Sequence, residues 1–217
     1  MEALRFDRDL IPVVAQDHVT GEIRMVAWAT KAAVEATLAT GHATFWSRSR
    51  GELWEKGKTS GNVLAVTGVL VDCDADTLVY LVRPSGPSCH TGAPSCFFRR
   101  LATDGTIDAP APPATLLARL DAVLLARRVS SAEKSYVKSL YDGGADKIGA
   151  KLREEADELA RATDGEPDDR VVSEAADVLF HVMVALRFRG KGIDDVLQEL
   201  ERREGTGGHD EKKRRKP

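Results

Sequence analysis

The sequence is poor in several features, and each shortage excludes a class of protein. Its 217 residues hold only three cysteines. An odd count in a chain long enough for a proper core argues against a disulfide framework. No run of about 18 apolar residues occurs, so no transmembrane helix is expected. The first residues, M-E-A-L-R-F-D-R-D-L, carry acids and no apolar segment, so neither a secretory signal nor a transit peptide is expected. A large excess of one charge is also missing: 31 Lys and Arg stand against 34 Asp and Glu, a formal net charge of -3. That balance gives a nucleic-acid partner no support. Reduced thiols without an export signal lead to the expectation of a cytoplasmic protein with no membrane partner.

What is present is ordinary in bulk and uneven along the chain. Hydrophobic residues at 42% and charged residues at 30% describe a soluble globular protein. Up to about Leu101 the chain is rich in Val, Thr, Gly and aromatics and holds all three tryptophans; beyond about Pro113 it is rich in Ala, Leu, Glu and Arg. Between them T-D-G-T-I-D-A-P-A-P-P reads as a semi-rigid linker. Two domains follow: an α+β, mainly β domain over 1–103 and an all-α helical bundle over 114–204. The linker covers 104–113, and the basic tail 205–217 reads as disordered.

In the first domain, Lys31 to Gly41 reads as a short helix stopped by its glycine. A-T-F-W-S-R-S-R is a β-rich run entering a basic turn, and G-E-L-W-E-K-G-K-T-S-G-N reads as a loop. V-L-A-V-T-G-V-L-V-D-C-D and T-L-V-Y-L-V-R read as two buried strands forming a hairpin. If the first continues through Asp72, Cys73 and Asp74, its period of two sends the aspartates to one face and Cys73 to the other.

All three cysteines, Cys73, Cys89 and Cys96, lie between Asp72 and Cys96 with His90 and three aspartates. Free cysteines are commonly small buried hydrophobes. Cys89 and Cys96, however, sit in the Gly/Pro/Ser-rich stretch S-C-H-T-G-A-P-S-C, a poor place for an apolar core. Three thiolates suit zinc and leave its fourth position open, the layout of a reactive metal. Upstream, Arg48, Arg50, Lys56, Lys58, Thr59, Ser60, Gly61 and Asn62 combine cations, hydroxyls and flexible backbone, which suits phosphate, although a solvated basic loop has the same composition. G-K-T there is not a P-loop, because position 52, where that motif needs glycine, is Glu52.

In the second domain, Ala114 to Arg128 reads as an amphipathic helix with Leu117, Leu120, Leu124 and Leu125 on one side. Another runs from about Asp146 to Ala162 on a stripe of Ile148, Leu152 and Leu159. Glu155 falls on that stripe, where a carboxylate is costly unless paired or metal-bound. Beside it Lys147, Lys151, Glu154 and Glu158 have the spacing of a salt-bridged face. Val171 to Phe188 is apolar nearly all round, as a fully buried helix is, yet carries Glu174, Asp177 and His181 in one stripe. Glu155 and Glu158 facing Glu174 and Asp177 would form a four-carboxylate cluster suited to magnesium that takes up phosphate oxygens.

Two long stretches carry a family resemblance. W-S-R-S-R-G-E-L-W-E-K-G-K-T-S-G-N, D-C-D-A-D and S-C-H-T-G-A-P-S-C-F-F together resemble phosphoribosyl-AMP cyclohydrolase. S-Y-V-K-S-L-Y-D-G-G-A-D-K-I-G-A-K-L-R-E-E-A-D-E-L and E-A-A-D-V-L-F-H resemble phosphoribosyl-ATP pyrophosphohydrolase. The order is that of the bifunctional enzyme of histidine biosynthesis. Departures from the family pattern fall at Trp28, Ala29, Thr30, Lys58 and Arg153, and none of them replaces an expected metal ligand.

The resemblance implies a specific set of roles. Cys73, Cys89 and Cys96 would be zinc ligands drawn from two subunits of a homodimer, and Asp72, Asp74 and Asp76 would hold magnesium. His90 would be catalytic. Glu154, Glu155, Glu158, Glu174 and Asp177 would hold magnesium in the second domain, where one acid of the cluster would orient water and Glu155 is the catalytic candidate. Arg48, Arg50, Lys56, Thr59 and Ser60, with Lys147 and Lys151, are the candidate substrate-binding residues. The substrates would be phosphoribosyl-ATP, an ATP-derived nucleotide cleaved to phosphoribosyl-AMP and pyrophosphate, and then phosphoribosyl-AMP, opened between N1 and C6 with zinc as cofactor. A zinc nucleobase deaminase is the nearest chemical rival, but that chemistry pairs H-x-E with P-C-x-x-C, and the chain has no P-C-x-x-C element. A structural zinc staple across a dimer, fused to a general nucleotide pyrophosphohydrolase, is the other alternative.

Overall fold

The run I-P-V-V-A-Q-D at Ile11–Asp17 (β1) buries every second side chain, the period of a strand with one face on a core. In the computed structural model, which describes residues 3–108, 115–129 and 135–204, β1 is a central strand of the larger sheet. It pairs antiparallel with Ile23–Ala29 (β2). After β2, Thr30 accepts the Ala33 N–H (3.2 Å) and caps the helix Lys31–Thr40 (α1). Gly41, in the left-handed region at φ 70°, closes α1 through its N–H to Thr37 O. Thr44–Ser47 (β3) and Glu52–Glu55 (β4) extend the sheet beyond β2, while Leu64–Val71 (β5) and Leu78–Pro84 (β6) form the hairpin on its other side. The order is β4-β3-β2-β1-β6-β5, and β1 and β6 run parallel.

The core of this sheet gathers Ile11, Val13, Ala33, Val34, Phe45, Leu64, Leu78, Tyr80 and Val82. Phe45 stacks on Tyr80 at 5.7 Å between ring centroids and tilts against Trp54 at 5.8 Å. Each fully buried large side chain contributes about 1.5–3 kcal/mol against leaving it in water. This core sets the direction in which two loops leave the sheet, Lys56–Val63 after β4 and the segment after β6.

Several expectations change. Glu52–Glu55 is a strand rather than a loop, because it pairs residue by residue with β3, Phe45 opposite Trp54. β5 ends at Val71, and Asp72–Asp76 is a turn. The Asp72 carboxylate accepts the N–H groups of Asp76 and Thr77, both at 3.0 Å, which curls the chain and removes the strand alternation expected there. The first part of the expected linker is a small ribbon. Arg100–Leu101 (β7) pairs with Ile107–Asp108 (β8), and Asp104 accepts both the N–H and the hydroxyl of Thr106 at the turn. Residues 109–114 and the tail 205–217 lie outside the described residues.

The chain divides into two units, Met1–Pro112 and Pro113–Pro217. The second holds Leu116–Val129 (α2), Tyr136–Asp142 (α3), Gly144–Thr163 (α4), Asp168–Phe188 (α5) and Ile193–Arg203 (α6). Leu124, Leu140, Ile148, Met183, Val184 and Ile193 form its core. The Asp121 carboxylate of α2 accepts both arms of the Arg187 guanidinium of α5, a planar two-point match. A short turn folds α5 back along α4, and their shared face carries the acids described below. One burial expectation fails here. α5 is not fully buried, with Val172 68% and Leu179 42% exposed, and of the α2 leucines only Leu124 is buried. An apolar pattern counts hydrophobic positions without saying how many neighbours stand around the helix. Among the described residues no helix is long and apolar enough to cross a membrane.

The Lys56–Val63 loop depends on one glycine. Gly57 has φ 86°, and a Cβ there would stand 2.3 Å from the Asn62 carbonyl, whereas one at Gly61 (φ 77°) would meet open space. Gly61→Ala should therefore cost about 1 kcal/mol and Gly57→Ala more than about 2 kcal/mol. Equal losses in thermal or urea unfolding of the two variants would contradict this loop geometry.

Candidate functional site

In the first unit the two loops close on one cavity of about 480 Å³. Lys56, Lys58, Thr59, Ser60 and Asn62 come from one loop, Ser88, Cys89, His90 and Cys96 from the other, and Met25 and Trp54 supply apolar surface. Lys56 is only 8% exposed. A buried ammonium is costly to keep and stays where negative charge repays it. Arg50, Lys58 and Thr59 line a smaller neighbouring cavity of about 320 Å³, although Arg50 is also paired with Glu52 at 3.2 Å. Arg48 lines neither cavity and lies over the Trp28 ring, 5.2 Å from its centroid.

The two cysteines of the cavity differ in ionisation. The Thr91 hydroxyl donates to the Cys89 sulfur at 3.1 Å and holds that thiol below its ordinary range. Local desolvation pushes the Cys96 thiol up although the residue reaches the surface, and the neighbouring Cys89 adds to the rise. His90 is exposed, with Nδ1 3.9 Å from the Cys89 sulfur. Thr91 was not among the sequence candidates; its position two residues from a cysteine has no periodic signal.

Cys73 stands apart. It is exposed on the Asp72–Asp76 turn, 4.0 Å from the Asp74 carboxylate, and does not join Cys89 and Cys96 in a three-ligand group within one chain. The turn does bring Asp72, Asp74 and Asp76 together, with ligand oxygens within 4.8 Å of one another, all exposed. The Thr77 N–H, foremost among its hydrogen bonds, holds the Asp72 carboxyl below its usual range.

In the second unit, the turn between α4 and α5 brings Glu155, Glu158 and Glu174 together, again with oxygens within 4.8 Å. Glu155 and Glu174 are buried, as the stripe position of Glu155 requires. Each has a cation: Lys151 lies 2.9 Å from Glu155 and Arg170 lies 2.6 Å from Glu174. Burial pushes the Glu174 carboxyl up; Arg170 opposes this, while Glu158 and Asp177 add to it. Asp177 is exposed and outside the three-carboxylate group, and Glu154 faces outward, paired with Lys151 at 3.0 Å. Glu155 first, and then Glu154, hold the Lys151 ammonium above its ordinary range. Lys147 turns toward α3, donating to the Ser139 hydroxyl at 3.4 Å.

Beneath the acids lies a pair absent from the site candidates. His181 is buried, and its Nδ1–H donates to the Asp177 carbonyl at 2.8 Å. A carbonyl only accepts, so Nε2 of a neutral ring accepts from the Tyr136 hydroxyl at 2.9 Å. Tyr136 opens α3, a seven-residue helix too short to show in the apolar pattern.

The thiol asymmetry is directly measurable. In reduced, metal-free protein, peptide-resolved alkylation of Cys89 should rise at lower pH than that of Cys96, and Thr91→Val should narrow the gap. A rise for Cys96 at the lower pH of the two would contradict the hydrogen bond from Thr91.

Comparison with known proteins matches each unit to a family. The family model for phosphoribosyl-AMP cyclohydrolase matches residues 25–98, and that for phosphoribosyl-ATP pyrophosphohydrolase matches residues 117–204. The histidine biosynthesis bifunctional protein HisIE of Deinococcus radiodurans is 44% identical over 209 residues, covering 96% of this chain and 95% of that protein. Those of Bacillus subtilis and Wolinella succinogenes are 41% and 39% identical over 203 and 213 residues, covering 93% and 95% of this chain and 95% and 93% of theirs. With an acidic helical unit following a cysteine-bearing mainly β unit in one chain, and relatives matched nearly end to end, the chain belongs to the HisIE family of bifunctional histidine biosynthesis proteins.

Proposed function

We propose that the two units perform consecutive hydrolyses of histidine biosynthesis, each with its own metal. The second unit cleaves phosphoribosyl-ATP to phosphoribosyl-AMP and pyrophosphate, and the first opens the purine ring of phosphoribosyl-AMP. Family membership supports both reactions. The observation that carries the residue roles is the cavity holding Cys89, Cys96 and His90 opposite the Lys56–Asn62 loop.

In the second unit, Glu155, Glu158 and Glu174 suit magnesium, being hard oxygen donors gathered where their mutual repulsion favours a cation. Bound magnesium would neutralise triphosphate charge and hold its oxygens. Glu154 and Asp177, exposed beside this set, would complete the shell through further oxygens. Lys151 and Lys147 would meet the phosphates at the outer edge. Glu155 would orient the water whose oxygen bonds to the α-phosphorus as the α–β bridging P–O bond breaks and pyrophosphate leaves with that bond's electrons.

In the first unit, Cys89 and Cys96 would hold zinc together with Cys73 of a second copy, which makes the active species a homodimer. The asymmetric thiols suit this, since Thr91 favours the thiolate of Cys89 that a metal needs. Bound zinc would supply an acidified water at its open position. Met25 and Trp54 would pack on the purine, and Lys56, Thr59 and Ser60 would hold a phosphate. Arg50 and the exposed Arg48 would attract a second phosphate toward the same mouth. Asp72, Asp74 and Asp76 would hold magnesium that helps orient these phosphates. His90 would carry the proton: the water oxygen bonds to C6, the N1–C6 bond breaks, and the proton reaches N1.

The two activities should therefore separate by mutation. Cys89→Ser should lower ring opening by at least about 100-fold, near 3 kcal/mol, and leave pyrophosphate release unchanged. Glu155→Gln should do the reverse. Loss of both activities in a folded Cys89→Ser protein would refute separate sites, and undiminished pyrophosphate release in Glu155→Gln would remove Glu155 from the mechanism.

A further inference from the structure

Arg24 is a charged residue on β2 with only 8% of its surface exposed. Its Nη1 lies 3.0 Å from Glu22 and 3.9 Å from Asp17. Nε donates to the Ser88 hydroxyl at 3.2 Å, across 64 positions of sequence. The backbone of the same residue makes a second tie, since the Cys96 N–H donates to the Arg24 carbonyl at 2.9 Å. Beside it, the Ser95 hydroxyl donates to the Ile23 carbonyl at 2.7 Å. Ser88 and Ser95 are themselves 2% and 6% exposed.

The segment Ser88–Cys96 is thus fastened at both ends to two adjacent residues of one strand. Two cross-bonds brace it internally, Ser88 N–H to Pro94 O and Cys89 N–H to Ala93 O, each 3.1 Å. Any residue at position 24 would provide the carbonyl that holds Cys96. Only the side chain reaches Ser88, the neighbour of Cys89. A largely buried cation held by a buried and a half-buried carboxylate is a weak stabiliser compared with apolar residues of the same volume. What it contributes at this position is placement, the part that groups behind a metal's direct ligands play.

We propose that Arg24 is a positioning residue of the cyclohydrolase site, holding Ser88 so that the Cys89 sulfur keeps the separation from Cys96 that one metal ion spans. The inference rests on the zinc reading given above. Asp17 and Glu22 hold the guanidinium, and Ser88 transmits its position to the cysteine.

The test uses the full chain, reduced, with zinc affinity measured by competition with a chromogenic chelator. Thiolate-to-metal charge-transfer bands after cobalt(II) substitution give a second readout, and pyrophosphate release is the internal control. Ser88→Ala removes only a hydroxyl, Arg24→Met removes the charge, and Arg24→Lys keeps the charge without the fork. Zinc affinity should fall about 10-fold or more in Ser88→Ala and Arg24→Met, with Arg24→Lys between them and wild type, as expected for loss of a group supporting a ligand. The cobalt bands should shift or weaken in the same order, with pyrophosphate release unchanged. Wild-type affinity and wild-type bands in Ser88→Ala and Arg24→Met would overturn the assignment. So would weakening confined to an Arg24→Met protein that melts early in chelator while Ser88→Ala binds normally, since that marks a structural role alone. A wild-type chain that takes up no zinc would overturn both this inference and the zinc reading, whereas zinc bound equally by every variant would overturn the inference alone.

Discussion

Negative donors gathered at short range are the constraint on which both sites depend. Glu155, Glu158 and Glu174 bring oxygens within 4.8 Å of one another, with two of the three side chains buried. Carboxylates so placed repel, and burial removes the water that would screen them. The packing of α4 on α5 must hold them together against that force, which is why Ile148, Met183 and Val184 lie fully inside while Lys151 and Arg170 each hold one acid. In the first unit Cys89 and Cys96 stand in the same relation. The Thr91 hydroxyl eases ionisation of one thiol, and local desolvation opposes ionisation of the other. A cation would answer the constraint in both places, which is the ground for the metals proposed for them.

The two units meet the constraint by different means. In the helical unit the acids ride on long helices whose own hydrogen bonds fix their spacing, so few outside supports are needed. In the β unit the donors ride on loops, which need fastening. The Ser88–Cys96 segment is tied to the start of β2, and the Lys56–Val63 loop turns on Gly57 and returns through Val63, which accepts the Ser85 N–H. The cavity therefore exists only while two loops hold their positions on one sheet. Substitutions at buried serines or at a single glycine can disturb it as much as substitutions in the core.

Much of this was legible in the sequence, for physical reasons that differ by element. α1 announced itself by its apolar spacing and stop glycine, and α4 by an amphipathic stripe on which Glu155 was out of place. Glu155 and Glu174 were readable because a buried carboxylate breaks a pattern. β4 was hidden because Glu52–Glu55 is short and begins and ends on a charge, beside glycines that suggest a loop. The Asp72–Asp76 turn was hidden because alternating aspartates look like a continuing strand until Asp72 is seen to accept two backbone N–H groups. Asp177 and Glu154 have the right helical spacing, yet α4 and α5 meet so that neither joins the three close acids. Thr91, Arg24 and the Tyr136–His181 pair act through contacts that no period connects, and only the folded chain brings them together.

The most direct measurement follows both products from one substrate. Wild-type protein with zinc and magnesium would be given phosphoribosyl-ATP, and pyrophosphate and the ring-opened nucleotide would be recorded over time. Pyrophosphate should appear at once and the ring-opened product after a lag, as phosphoribosyl-AMP rises and then falls. Release of pyrophosphate with no ring opening, or ring opening of phosphoribosyl-ATP before pyrophosphate leaves, would contradict two consecutive sites in one chain.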